Sequence, residues 1–333
     1  MRSKNLLILL AVFGILIVIY LIQNLGSSKK TISESQIELY PDLNSSSVTT
    51  IKAYKQLYPD SGLVFTKKDG KWLVSSYYDA PAKESEIEKI FTDLKNLQGE
   101  VRSISQDLFG DYDITDDMAL HLELLGPDSE VVAHVLFGKG VPQASRSSFI
   151  RNIDSDTVYM ASENFVSRFA VWNAEPAKKF ATKRWLELTM ANFDKTTAST
   201  LALKDNKKTY LFAKHEEMAM EDTIETTKTV WAQIEPTKDK LDDSKISDIV
   251  GRIASLRATD LLGTEILPEY KLTDPKQTAT VSLDDGTQFT VAFGAETDTT
   301  GSSRYVMVEG KPYVYKIAKY NYESIFVNPF KKD

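Results

Sequence analysis

The chain of 333 residues contains no cysteine. Disulfides, thiolate metal centres, thiol nucleophiles and an acylated N-terminal cysteine are thereby excluded. The compartment is not, because an exported domain with a sufficient core needs no bridges. Positive charge is not in excess either: 40 Lys and Arg stand against 47 Asp and Glu, for a net charge of −7. The basic residues are scattered, and the pairs Lys29-Lys30 and Lys207-Lys208 are too short to follow a phosphate backbone, so no nucleic acid partner is expected. Neither H-E-x-x-H nor G-x-S-x-G occurs. "GKGVPQ", from Gly138, lacks the third glycine and the following helix of a phosphate loop. The run from Asp154 places Tyr159 where a calcium loop needs glycine and Phe165 where it needs a bidentate glutamate. No catalytic residue, cofactor or metal is assigned.

One long apolar run is present. "LLILLAVFGILIVIYLI", residues 6–22, follows Arg2 and Lys4 and carries no charge. As a helix it spans roughly 26 Å, close to the thickness of a bilayer core. No A-x-A-like site follows, so the run reads as an uncleaved anchor rather than a signal peptide. The positive start favours a cytoplasmic beginning, with everything downstream outside the cytoplasmic membrane. Residues 1–25 are expected as a transmembrane anchor in a bacterial inner membrane, in contact with lipid through residues 6–22. Residues 26–47, rich in Ser and Asn, follow as a polar tether.

Downstream the chain repeats itself. Ile87, Ile90, Phe91, Leu94 and Leu97 lie on one face of a helix, and the positions 159 further on hold Ile246, Ile249, Val250, Ile253 and Leu256. Trp72 maps to Trp231 by the same offset. "YDITDD" at Tyr112 answers "YKLTDP" at Tyr270, and "VLFG" ending at Gly138 answers "VAFG" ending at Gly294. Each copy reads as strands, an amphipathic helix, then two hairpins, one of them marked by the Asp285-Gly286 turn signal. The fold class is α+β: mostly antiparallel sheet with a packed helix, twice. The expected organisation is repeat domain 1 at 48–172, an inter-domain joint at 173–192 and repeat domain 2 at 193–330.

These residues resemble a bacterial family, the domain of unknown function 4340. The resemblance is carried by the membrane segment, "KWLV…PAKESEIEKIFTDLKNL", "DYDITDD", "VLFGK", "SFIRN…VYMA" and "FATKRWLEL". It implies a doubled, membrane-anchored envelope protein, of a kind found with ABC transporters of the gliding-motility auxiliary type, and no catalytic motif. The turn usual in that family resembles Tyr-Gly-Leu-x-x-Pro. Here Asp113 and Lys271 stand at the glycine, and only Pro275 keeps the proline.

Two features break the symmetry between the copies. "KHEEMAMEDTIETTK", residues 214–228, replaces a hairpin that in copy one is only "KKDG". Acidic residues and adaptable methionines on a loop suit partner contact, so Glu216, Glu217, Met218, Met220, Glu221 and Asp222 are the candidate partner-binding residues. A four-residue "GPDS" loop would place His121 directly opposite His134, as a weak metal pair, a pH sensor or two partly exposed strand residues. Copy two has Thr280 and Thr290 there. Taken together, the expectation is a non-enzymatic, membrane-anchored extracytoplasmic protein, accessory or scaffold to a transporter or envelope complex, with a membrane-protein partner. The alternative is a binding module for a glycan, lipid or peptide in an inter-domain groove. An envelope hydrolase comes third.

Overall fold

The computed structural model describes Phe13 and residues 36–172, 177–221, 224–236 and 241–330, with backbone alone at 219–221 and 224–225. Apart from Phe13, the expected anchor and the start of the tether lie outside the described residues. Among the described residues no helix is long and apolar enough to cross a membrane.

The chain forms two compact units. In the first, the strands are β1 (Gln36–Glu38), β2 (Thr50–Lys55), β3 (Tyr58–Lys68), β4 (Lys71–Val74), β6 (Gln98–Ser103), β7 (Leu120–Leu125), β8 (Val131–Val141), β9 (Ala144–Asn152) and β10 (Val158–Ala161). Helix α1 (Glu84–Lys95) precedes β6, and α2 (Phe165–Phe169) closes the unit. A two-residue strand, β5 (Ala80–Pro81), lies between β4 and α1 in sequence. The second unit has β11 (Ala198–Asp205), β12 (Lys208–Glu221), β13 (Ile224–Glu235), β14 (Asp260–Gly263), β15 (Gln277–Leu283), β16 (Gln288–Glu296), β17 (Ser303–Val308) and β18 (Val314–Ala318). Helix α3 (Asp243–Ala254) precedes β14, and α4 (Lys319–Glu323) follows β18.

The strand orders demonstrate the duplication. The first unit runs β1-β6-β10-β9-β8-β7-β2-β3-β4 and the second β14-β18-β17-β16-β15-β11-β12-β13. With β1 set aside, each strand of one order is replaced by its sequence counterpart in the other. The ladders are antiparallel, as expected for strands joined by hairpins. Alternation places Ile51 and Ala53 of β2, and Leu201 and Leu203 of β11, in the core. The helical stripe behaves alike in both copies: Ile87, Ile90, Leu94 and Leu97 are buried, and so are Ile246, Ile249, Val250, Ile253 and Leu256. The two tryptophans occupy matching environments. Trp72 and Trp231 are 7% and 6% exposed. Each pairs across the ladder with a lysine, Lys67 and Lys214 respectively. The ammonium groups stand 5.9 and 5.5 Å from the ring centroids.

The shared Tyr and Gly positions have one steric cause. A Cβ on Gly138 would lie 2.2 Å from the Tyr112 carbonyl oxygen, and one on Gly294 would lie 2.1 Å from that of Tyr270. In the first unit that carbonyl also accepts from the Lys139 amide at 3.0 Å. The residue after each tyrosine turns left-handed, with φ +55° at Asp113 and +53° at Lys271. The backbone thus adopts a glycine-type conformation at two positions that carry other side chains. That conformation strains lysine more than aspartate, whose short polar side chain tolerates it. Lys271→Gly is therefore expected to stabilise the second unit by about 0.5–1 kcal/mol, with a smaller gain for Asp113→Gly. Urea unfolding midpoints of the two variants check this.

Three expectations need correction. The expected repeat boundaries treat 48–172 as one module, but Tyr77–Lys83 groups with the second unit. Its contacts there explain why: Tyr77 donates to the Leu261 carbonyl at 2.7 Å, and the Lys83 amide donates to Trp185 O at 2.7 Å. The Glu187 amide in turn donates to Pro81 O at 2.8 Å, and Ala80 and Ala82 are buried. Backbone pairing with "RWLEL" thus outweighs sequence proximity. Next, residues 214–228 form no loop. They extend β12 and β13 into a continuous ribbon, because Thr226, Thr227, Thr229 and Val230 favour strand. Finally, the β15–β16 turn is longer than two residues: Leu283 pairs with Thr287, and the Asp285 carboxylate holds the Thr287 amide at 2.8 Å.

Candidate functional site

The ribbon is paired from Leu211↔Glu235 to Glu221↔Ile224. Glu216 and Glu217 are exposed, and Met218 is 84% exposed. Glu217 stands opposite Lys228, and its carboxylate accepts from His215 Nε2–H at 3.0 Å. Met220 and Glu221 lie further along the same strand, opposite Glu225 and Ile224. Asp222 lies outside the described residues. The structure therefore sets five of the six candidate residues along one strand rather than around a loop tip. In the first unit the corresponding hairpin turns at once, at Asp69 and Gly70, with φ +49° and +79°.

At the base of the ribbon is a cleft of about 660 Å³, lined by Lys214, Glu216, Trp231, Asp243, Val250 and Asp284 among others. The Asp243 carboxylate accepts from the Trp231 amide, and Lys214 donates to Thr196 O at 2.6 Å. Val250 corresponds to Phe91 of the first unit, whose ring lies 6.0 Å from Trp72.

A second pair of clefts occupies equivalent places in the two units. In the first, about 290 Å³ is bounded by Asp113, Met118, Gly138, Lys139 and Val166. In the second, about 990 Å³ is bounded by Lys271, Lys276, Gly294, Arg304 and Tyr322. The left-handed residue after the tyrosine and the close-approach glycine line both. Buried Lys55 reaches Met118 O at 2.5 Å, and its counterpart Lys204 reaches Pro275 O at 3.2 Å. Burial pushes the Lys55 ammonium below its ordinary value, partly opposed by the Asp113 carboxylate. In the larger cleft Arg304 stacks 4.2 Å over Tyr322 and donates to Gly294 O at 3.1 Å. Sequence reading missed these clefts, because their walls come from segments far apart along the chain.

The histidines meet, but not in the expected register. A shift between Leu124 and Leu125 places Leu136 opposite His121 and Glu123 opposite His134. The rings are diagonal neighbours on one face, with His121 Nδ1 and His134 Nε2 3.0 Å apart. His121 is buried, stacks on Tyr54 at 4.9 Å and has its Nε2 2.7 Å from Asp116 O. Asp116 pairs through its carboxylate with Arg151, a buried side chain that also donates to Ile114 O at 3.0 Å. Burial lowers the pKa of both histidines. For His121 the hydrogen bond to Asp116 opposes it, and for His134 the carboxylates of Glu123, Asp154 and Asp116 do. In the second unit Thr280 and Thr290 pair directly and share a 3.2 Å hydrogen bond. Among the described residues no group of three or more His, Asp or Glu side chains is arranged to hold a metal ion.

No curated protein matches the chain, and no solved structure does. A family profile does match, at residues 72–275 and again at 231–331, two overlapping regions that together take in both copies. The chain belongs to the family described as Domain of unknown function (DUF4340), in tandem copy.

Proposed function

We propose that the chain is a non-enzymatic, membrane-anchored extracytoplasmic protein that serves as an accessory or scaffold subunit of a transporter or envelope complex. The apolar run 6–22 and the positive residues before it support the anchor and its orientation. The observation that carries the reading is the β12–β13 ribbon, present in one copy and absent from its twin. A paired ribbon is stiffer than a loop, so presenting side chains to a partner costs less ordering entropy on binding. Met218 supplies an unbranched, polarizable contact, and Glu216 and Glu217 supply charge.

Crosslinked recovery of the full-length chain from native membranes tests this. With residues 215–230 replaced by an Asp-Gly turn like that of copy one, recovery of a membrane partner is expected to fall about tenfold or more, the loss of one interface hot spot. Equal recovery with and without the ribbon, or no partner at all, sinks the proposal. A second reading, a binding module for a small molecule or peptide, is supported by the clefts at equivalent positions in both units. Native mass spectrometry of the purified protein distinguishes it: a retained small ligand favours the module, and a retained protein subunit favours the scaffold.

A further inference from the structure

We propose that the His121–His134 pair is a two-proton latch that lets acid loosen the first unit while leaving the second intact. A carbonyl oxygen can only accept, so the nitrogen of His121 that faces Asp116 O carries a hydrogen. In the neutral ring Nδ1 is then bare and accepts from His134 Nε2–H across the 3.0 Å gap. The hydrogen bond between the two rings is thus made only when His121 is neutral.

The two protons have different consequences. His134 Nδ1 has no hydrogen-bond partner among the described residues, and the carboxylates of Glu123 and Asp154 act on that ring. A first proton settles there and leaves the pair intact, because His134 Nε2 still donates. A second proton must bind His121 Nδ1. Two N–H groups would then face each other at 3.0 Å, in a site closed by Tyr54 of β2 and Leu136 of β8. The Arg151 guanidinium, held by Asp116, adds repulsion to either imidazolium. Lys52 pairs with Glu123 at 3.0 Å and draws that carboxylate away from compensating fully. The rings must part, and His121 gives up Asp116 O.

The connected structure is a satellite core. Arg151 ties to Ile114, which packs with Ala119, Leu136, Phe149 and Val158. Opening the pair therefore acts on β7, β8 and the loop that carries Asp116. The sign follows from linkage. Both folded pKa values lie below the ordinary imidazole value of about 6.5. The folded first unit binds fewer protons than its unfolded chain, so its stability is complete above about pH 6.5 and declines as the pH falls below it. The corresponding Thr280–Thr290 hydrogen bond has no group that titrates in that range.

Amide hydrogen exchange on the full-length protein in detergent, at pH 7.5 and pH 5 and corrected for intrinsic rates, reads this directly. Protection in β7 and β8 is expected to fall about tenfold for each pH unit by which the pair is depressed, while β15 and β16 hold. A double variant carrying the copy-two residues, His121→Thr with His134→Thr, is expected to erase the difference between the units. Flat protection in β7–β8, an equal loss in both units, or an unchanged acid response in the double variant overturns the proposal. Should that variant fail to fold, imidazole ¹⁵N shifts of the wild type decide. A neutral, Nε2-protonated His121 at pH 7.5, with His134 titrating first, supports the latch. A charged or Nδ1-protonated His121, or the reverse order, rejects it.

Discussion

Asp93→Ala is expected to destabilise the first unit by about 3 kcal/mol, the lower end for breaking a buried ion pair, because the Glu163 carboxylate stays 3.9 Å from the Arg168 guanidinium. Asp93, on α1, forms an ion pair with Arg168 of α2, and the two side chains are 10% and 7% exposed. Lys89 approaches the same carboxylate at 3.1 Å, but it is half exposed and contributes little. Arg168 lies 4.5 Å over the Phe165 ring and cannot withdraw to water without unpacking it. The second unit closes the same junction by other means. Position 252, 159 residues after Asp93, is an arginine that stacks 5.4 Å over Tyr320 of α4. The charge pair is therefore one solution among several, and removing both of its members is expected to cost much less than removing one. A double-mutant cycle with Arg168→Met, read by urea unfolding, measures this. Equal losses for the single and double variants would show that the carboxylate matters on its own and not as Arg168's partner.

Gly294→Ala is expected to cost about 3 kcal/mol, at the upper end for overpacking. The added methyl would sit 2.1 Å from a carbonyl oxygen, and backbone, unlike a side-chain tip, cannot step aside. Gly138→Ala meets the same obstacle at 2.2 Å, so the effect is expected in both units. Gly286 is the control. Its φ is +84° but nothing lies within 4 Å of its Cβ position, so alanine there costs only the conformational strain, about 1 kcal/mol. A Gly294→Ala loss no larger than that of Gly286→Ala would show that the Tyr270 carbonyl moves freely.

The helical stripe and the Tyr and Gly offsets made the duplication legible, since period and spacing survive the loss of identity. The offset from Trp72 to Trp231 found two side chains that each lie under a cross-strand lysine. The ribbon was visible as an asymmetry of length. Its form was not, because Glu, Met and Ala read as a loop until Thr-rich β13 is paired alongside. The sequence places the two histidines on one face but not in this register, since a turn one residue shorter than GPDS, closed by Gly126 and Glu130, and one extra residue past it together move the partners two places along the ladder.

What the sequence determined by itself is local and periodic: two copies of strands and an amphipathic helix, a chain without thiol chemistry, and the family to which it belongs. Tertiary structure alone decided that Tyr77–Lys83 joins the second unit, that Val250 lines a cleft beside Trp231, and that Arg151, Asp116 and two histidines form one network. The reason is physical. Periodicity records which face of an element is buried, whereas the partner that buries it is chosen by backbone pairing and side-chain volume across long separations in sequence.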